Sequence, residues 1–272
     1  MVMFLSTVIV LAVVGLLMGL LLVFASETFK VEVDPRETAV RECLPGNNCG
    51  ACGFAGCDAM AAAIVKGEAP VNGCPVGGAP VGEKIAVVMG VVAGEALEKK
   101  VAFVRCAGTC DVQKPKCNYV GIESCEAAMT LPGKGIKACT HGCLGYGSCV
   151  NACQFDAIEI IDGVAKVDRS KCVACGKCVA TCPQHLIEIV PDKSEYAVQC
   201  SNKDKGPIVK KVCDAGCIGC GLCARQCEQG AITLTDNVAH IDYDKCVGCG
   251  KCAEKCPSKI IRLRKELAAV AE

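Results

Sequence analysis

The sequence contains no tryptophan, and aromatic residues make up only 4% of its 272 positions. Large rigid side chains that fill ordinary cores are scarce, so covalent or metal links have to replace part of the missing packing. No sign of charge dominates, because 29 basic residues balance 29 acidic ones. That balance speaks against a nucleic-acid partner, whose binding relies on a surplus of basic side chains over phosphates. No G-x-G-x-x-G follows a predicted strand and no P-loop occurs, so the nucleotide fingerprints are missing. His141, His185 and His240 are isolated in sequence, which leaves no histidine-based metal or hydrolase pattern. What the chain has in excess is cysteine. Its 27 cysteines are at the level where cysteine sets the architecture. The count is odd and the chain long, unlike a small secreted disulfide scaffold. Bulk composition points to metal.

One stretch is continuously apolar. Residues 1–25 carry no charge and have only Ser6 and Thr7 as polar side chains. About 20 apolar residues suffice for a helix to cross a bilayer, so 1–25 is expected as a single transmembrane helix in contact with membrane lipid. A cleaved secretory signal needs a basic n-region, and nothing basic precedes Lys30. Lys30, Arg36 and Arg41 follow the run, and the positive-inside bias then places the rest on the cytoplasmic side of the cell (inner) membrane. Thiols stay reduced there and free to bind metal. A span without charge offers no relay for an ion.

Residues 26–42 read as a linker with a short helix: Asp34 at the N-cap, Pro35 at the first helical position, Glu37 at the third. The first cysteine group, Cys49-x2-Cys52-x4-Cys57-x16-Cys74, lies in a segment over 43–80. Within it the alanine-rich 58–66 is expected as a helix closed by Gly67. A connecting α/β region with extra cysteines fills 81–136, with helix over 83–100 interrupted by Gly90 and Gly94, and a strand over 101–104. The remainder is a repeat. Residues 137–153 match 211–227, and 170–183 match 244–257, each 74 positions further on. Val104-Arg105-Cys106 matches Val198-Gln199-Cys200, but the first copy carries extra sequence after it. One module is used twice, over 137–192 and 213–272, joined by a linker at 193–212.

The two Cys-x2-Cys-x2-Cys-x3-Cys-Pro runs, from Cys172 to Pro183 and from Cys246 to Pro257, are the bacterial ferredoxin pattern. Three thiolates wind around one cubane, and the fourth, opening away from them, ligates the other cluster of the pair. Interleaved glycines such as Gly219 and Gly248 let the backbone approach and turn N–H groups toward sulfur. In the second module this pairs Cys217, Cys220, Cys223 and Cys256 on one cluster, and Cys246, Cys249, Cys252 and Cys227 on the other. Structural zinc also uses Cys-x2-Cys, but not in interlocked pairs of this spacing. The first module has Tyr146 where the second has Cys220. Cys139, four residues before Cys143, is expected to supply the missing thiolate, giving Cys139, Cys143, Cys149 and Cys182. Its partner cluster takes Cys172, Cys175, Cys178 and Cys153. Cys43, Cys106, Cys110, Cys117, Cys125, Cys200 and Cys213 are left over. They are either plain thiols or, around Cys106 and Cys125, the material of a further cluster.

The order of these parts resembles the RnfB family, the B subunits of the Rnf complexes, which are ion-translocating ferredoxin:NAD oxidoreductases. The likeness covers the apolar N-terminus, the CGACGFAGC…GCPVGG module, the GCLGYGSCVNACQFDAI segment and the doubled ferredoxin motifs. It implies an α+β chain with one N-terminal transmembrane helix, a small helical [4Fe-4S] domain and two ferredoxin-like modules. Cys49, Cys52, Cys57 and Cys74 match the family's N-terminal cluster ligands, for five [4Fe-4S] clusters in all, or six with the leftover thiols. It further implies that such a chain takes low-potential electrons from soluble ferredoxin. These pass to membrane partners bearing flavins and iron–sulfur centres, which couple the flow to Na⁺ or H⁺ transport and NAD⁺ reduction. A different function is a membrane-tethered regulator that keeps a transcription factor's cluster reduced; a third is the iron–sulfur component of a hydrogenase or formate dehydrogenase.

Charge is uneven locally. Residues 245–266 hold seven basic side chains, Lys245, Lys251, Lys255, Lys259, Arg262, Arg264 and Lys265, against Glu254 and Glu266. A basic face beside a terminal cluster is expected to steer an acidic ferredoxin, so that charge reversal at Lys251 and Lys255 slows electron entry, most visibly at low salt; the plainer reading is a solvated helix and tail.

Overall fold

The computed structural model describes residues 2–28, 34–92, 94 and 98–264; Lys30 and Lys265 lie outside them. Helix α1 (Val2–Thr28) is apolar, and Leu16, Leu22 and other described side chains on it are exposed. The expected transmembrane helix over 1–25 is nevertheless corrected. Among the described residues no helix is long and apolar enough to cross a membrane.

Three helices follow: α2 (Pro35–Cys43), α3 (Cys57–Val65) and α4 (Gly78–Met89). Asp34 caps α2 as its sequence announces, accepting from the Arg36 N–H at 2.8 Å. Helix α3 ends at Lys66, and α4 starts before the expected Glu83 and stops at Gly90, whose φ of +67° closes it. Val40, Met60, Ile64 and Ile85 bury completely between the three helices.

The rest of the described chain is a pair of modules with matching element order. In the first, β1 (Lys100–Val104) pairs antiparallel with β4 (Ile187–Pro191), bringing Val104 opposite Ile187. Between them lie α5 (Cys125–Met129), α6 (Ser148–Asn151), the hairpin β2 (Ile158–Ile161) and β3 (Val164–Val167), and α7 (Lys177–Thr181). In the second, β5 (Tyr196–Val198) pairs with β8 (Ile261–Leu263), bringing Val198 opposite Ile261. Within it lie α8 (Gly206–Val212), α9 (Leu222–Gln226), the hairpin β6 (Ile232–Thr235) and β7 (Val238–Ile241), and α10 (Lys251–Glu254). The first module's extra sequence, carrying α5, has no counterpart in the second.

Both hairpins turn through two residues of positive φ, Asp162-Gly163 and Asp236-Asn237, the backbone twist that short hairpins favour. A ligand loop lies against each turn. A Cβ on Gly145 (φ +83°) would stand 2.7 Å from the Gly163 carbonyl oxygen, and one on Gly219 (φ +66°) 2.8 Å from that of Asn237. Left-handed strain and a backbone clash coincide at both glycines, so Gly145→Ala and Gly219→Ala should each cost about 2–4 kcal/mol. Thermal unfolding of the cluster-loaded chain checks this, and an unchanged midpoint would contradict it.

The modules join through polar contacts. Arg264 is 2% exposed and donates to the carbonyls of Pro191 at 2.7 Å and Ser194 at 3.1 Å, with its guanidinium over the Phe103 ring. Arg105 bridges to Glu188 at 3.8 Å and donates to the Cys200 carbonyl at 3.4 Å.

Candidate functional site

Among the described residues, no three His, Cys, Asp or Glu side chains converge as on a single metal ion. The thiols instead stand around cavities. In the helical N-terminal unit, the loop before α3, the first turn of α3 and the segment before α4 bring Cys49, Cys52, Cys57 and Cys74 to one cavity. Asn48 Oδ1 accepts from the Cys57 N–H at 2.8 Å, and the Gly77 N–H donates to Cys74 Sγ at 3.3 Å. Burial raises the Cys74 thiol above its ordinary range, and the neighbouring Cys52 and Cys57 add to the rise.

The second module has two such cavities. Cys217, Cys220, Cys223 and Cys256 line one, closed by Leu234, Ala239 and Ile260. Cys227, Cys246, Cys249 and Cys252 line the other, and burial pushes the Cys252 thiol up to about 11. In both, the last cysteine of one motif stands among the first three of the other. The short helices α9 and α10 create this crossing by carrying Cys227 and Cys256 away from their own loops.

The first module repeats the crossing with one change. Burial pushes the Cys178 thiol up to about 12, helped by Cys172, Cys175 and Cys153 around it. The Ala102 N–H donates to Cys172 Sγ at 3.3 Å, and the Ala157 N–H to Cys153 Sγ at 3.4 Å. In the module's cavity, Cys143, Cys149 and Cys182 are joined by Cys125, with Val104, Leu144 and Ile187 as apolar walls. Cys139 does not line it. Burial pushes the Cys149 thiol up to about 12, and the neighbouring Cys143, Cys125 and Cys182 add to the rise. Cys125 opens α5, whose N-cap Ser124 accepts from the Ala127 N–H at 3.1 Å. The Cys125 N–H donates to Ser148 Oγ at 3.0 Å, and Ser148 donates to Glu126 at 2.8 Å. Tyr146 lies beside α5 in edge contact with Tyr119. The insertion thus places a thiol in the cavity of the module that lacks the second cysteine of its motif.

The leftover thiols divide. Cys106, Cys139, Cys200 and Cys213 are buried; Cys110 and Cys117 are exposed and Cys43 is half-buried. The basic segment is also thinner than its sequence. Arg264 is buried, Lys251 pairs with Glu228 at 2.6 Å and Lys245 with Asp242 at 3.0 Å. Lys255, Lys259 and Arg262 remain exposed.

Four thiols around each cavity, with backbone N–H groups aimed at sulfur and apolar walls behind, fit an iron–sulfur cluster. Soft sulfur donors of this kind do not suit Mg²⁺ or Ca²⁺. Comparison with known proteins agrees. Residues 44–76 match the "Fe-S cluster" family, 165–188 a "4Fe-4S binding domain" and 216–260 a "4Fe-4S dicluster domain". The chain is 48% identical over 237 residues to the B subunit of the Na(+)-translocating ferredoxin:NAD(+) oxidoreductase complex of Acetobacterium woodii, covering 87% of this chain and 71% of that one. It is 44% identical over 260 residues to the B subunit of the ion-translocating oxidoreductase complex of Methanosarcina acetivorans, covering 95% and 98%. With the B subunit of the proton-translocating ferredoxin:NAD(+) oxidoreductase complex of Clostridium ljungdahlii it shares 43% over 236 residues, 86% and 82% of the two chains. Cysteine-lined cavities, iron–sulfur domains and near full-length identity converge, and the chain belongs to the RnfB family, the B subunits of the ion-translocating (Rnf) ferredoxin:NAD oxidoreductase complexes.

Proposed function

We propose that the chain accepts low-potential electrons from reduced soluble ferredoxin and relays them one at a time to flavin- and iron–sulfur-bearing membrane subunits. Those subunits couple the flow to Na⁺ or H⁺ transport and to NAD⁺ reduction. The observation that carries the reading is the series of five four-thiol sets, one in the N-terminal unit and two in each module. Cys49, Cys52, Cys57 and Cys74 hold the first cluster. Cys125, Cys143, Cys149 and Cys182 hold the second, and Cys153, Cys172, Cys175 and Cys178 the third. Cys217, Cys220, Cys223 and Cys256 hold the fourth, and Cys227, Cys246, Cys249 and Cys252 the fifth. Bound there, [4Fe-4S] clusters supply one-electron chemistry at low potential.

The chain's own residues hold the thiolates at fixed spacing, exclude water with Val104, Ile187, Ile260 and their neighbours, and aim N–H dipoles at sulfur. Those dipoles favour the more negative state and tune the potential. Membrane association and cytoplasmic placement follow from assembly with the other subunits.

Ferredoxin docking falls to Lys255, Lys259 and Arg262, exposed cations of the basic segment, since Lys245 and Lys251 are already paired. Mixing the anaerobic full chain in detergent with reduced ferredoxin, and following the loss of visible absorbance, tests the reading. Fast bleaching is expected, and Lys255→Glu with Lys259→Glu should slow it about tenfold at low salt and hardly at all at high salt. Absence of bleaching in the parent chain would refute electron entry from ferredoxin. Equal rates in parent and variant would remove the docking face.

A further inference from the structure

The four buried cysteines outside the five sets, Cys106, Cys139, Cys200 and Cys213, come together where the two modules meet. They are 6–8% exposed. A Cβ placed on Gly142 would stand 3.6 Å from Cys139 Sγ and 3.8 Å from Cys106 Sγ. Asn202 ties two of the others: its side-chain Nδ2 donates to Cys139 Sγ at 3.4 Å and its backbone N–H to Cys200 Sγ at 3.4 Å. Cys106, Cys200 and Cys213 all act electrostatically on the Cys139 thiol.

The arrangement is twofold. Cys106 stands two residues beyond β1 and Cys200 two beyond β5, while Cys139 and Cys213 each lie four residues before the first thiol of their module. Cys106 Sγ accepts from the N–H groups of Gly108 and Cys143, both at 3.4 Å. Cys200 Sγ accepts from the equivalent pair, Asn202 at 3.4 Å and Cys217 at 3.3 Å. Sequence comparison of the repeats makes Cys213 look redundant, but each module lends two thiols to a shared point.

Two further groups need a partner at that point. Gln113 is 5% exposed, and neither of its amide atoms has a hydrogen-bond partner. Its Nε2 lies 3.0 Å from the same Gly142 Cβ position that both sulfurs flank. Lys137 is 7% exposed; its Nζ donates to the carbonyls of Gly163 at 2.7 Å and Gly108 at 3.3 Å, and its charge acts on the Cys143 and Cys213 thiols. A buried donor and a buried cation are both costly without an acceptor or an anion.

We propose that Cys106, Cys139, Cys200 and Cys213 hold a sixth [4Fe-4S] cluster that bridges the two modules, with Gln113 donating to it and Lys137 offsetting its negative charge. Four thiolates on a cubane carry net negative charge, which satisfies both groups together. The bridge touches each module through the N–H of its first ligand, Cys143 on one side and Cys217 on the other. It gives electrons a path across the module boundary. This assignment rests on the iron–sulfur reading of the other five sets.

Iron and acid-labile sulfide on the anaerobic full chain test it. The parent should hold about 24 of each. Cys200→Ser and Cys213→Ser should each lose about four, and the double variant the same four rather than eight, because one site is shared. The control Cys217→Ser should lose about four of its own. Full retention in the Cys200 and Cys213 variants, with loss in the control, would overturn the bridge and leave the other clusters standing. An iron-free parent would overturn both readings. If the variants do not fold, the parent count decides: about 20 iron contradicts the bridge. Zinc lost in place of iron from the two variants would contradict its redox role.

Discussion

Cys125→Ser is expected to remove about four iron and four sulfide from the full chain, as much as Cys143→Ser and no more in combination with it. The reason is positional. The first module has Tyr146 where its repeat has Cys220, and the cavity between Leu144 and Ile187 receives its fourth thiol from the insertion instead. Cys125 is held there by the Ser124 cap and the Ser148 hydrogen bond, which fix the start of its helix beside the cavity. Serine at 125 keeps the helix start but removes the soft donor. Ferredoxin-driven reduction should then stop short of complete bleaching, because one relay point is gone. Cys139→Ser, in contrast, should act additively with Cys143→Ser, since its thiol belongs with Cys106, Cys200 and Cys213. Iron analysis of the singles and doubles checks both statements. Full iron in Cys125→Ser, or non-additive loss between Cys139 and Cys143, would restore Cys139 as the fourth ligand.

Stripping the clusters should abolish the cooperative thermal transition of residues 98–264. Their buried cores are built partly of cysteine: Cys106, Cys143, Cys149, Cys172 and Cys178 sit in one, and Cys200, Cys213, Cys217, Cys223 and Cys252 in the other. Helices α6, α7, α9 and α10 are only four or five residues long, far below the length that stands alone in water. Each sheet has only two strands, itself marginal. Metal-binding free energy therefore becomes folding free energy.

The thiols give this a pH dependence of defined sign. Burial pushes Cys139, Cys149 and Cys178 up to about 12 and Cys200 to about 11, so the iron-free folded chain favours neutral thiols. Cluster binding requires thiolates and releases those protons, so acid should favour loss of iron and mild alkali its uptake. Calorimetry and circular dichroism before and after anaerobic chelation check the prediction. A stripped chain that keeps its melting transition would contradict it.

Local spacing groups most of the cysteines in the same sets as the cavities do. In the N-terminal unit and the second module, the cysteines grouped by Cys-x2-Cys spacing and by the crossing of fourth ligands are those that line common cavities. The Asp34-Pro35 helix start and the strand over 101–104 are equally local, and both are present. Cys125 was out of reach of spacing, because its place depends on how an insertion folds back onto a cavity. The signal was there in another form: the copy that lacks a motif cysteine is the copy that carries extra sequence with spare thiols. The meeting of Cys106, Cys139, Cys200 and Cys213 needed the pairing of two modules, which no linear pattern encodes. Net charge along 245–266 overstated the basic face, since burial of Arg264 and the Glu228 partner of Lys251 are tertiary facts. Apolar composition over 1–25 likewise reached further than the described helix supports.

Iron, acid-labile sulfide and zinc per chain, measured on the anaerobically purified full-length protein, test the central claim most directly. The account predicts iron and sulfide in equal amounts, about 24 of each, with zinc far below one per chain. Stoichiometric zinc without sulfide would contradict it, because four-thiol zinc sites are structural and carry no electrons.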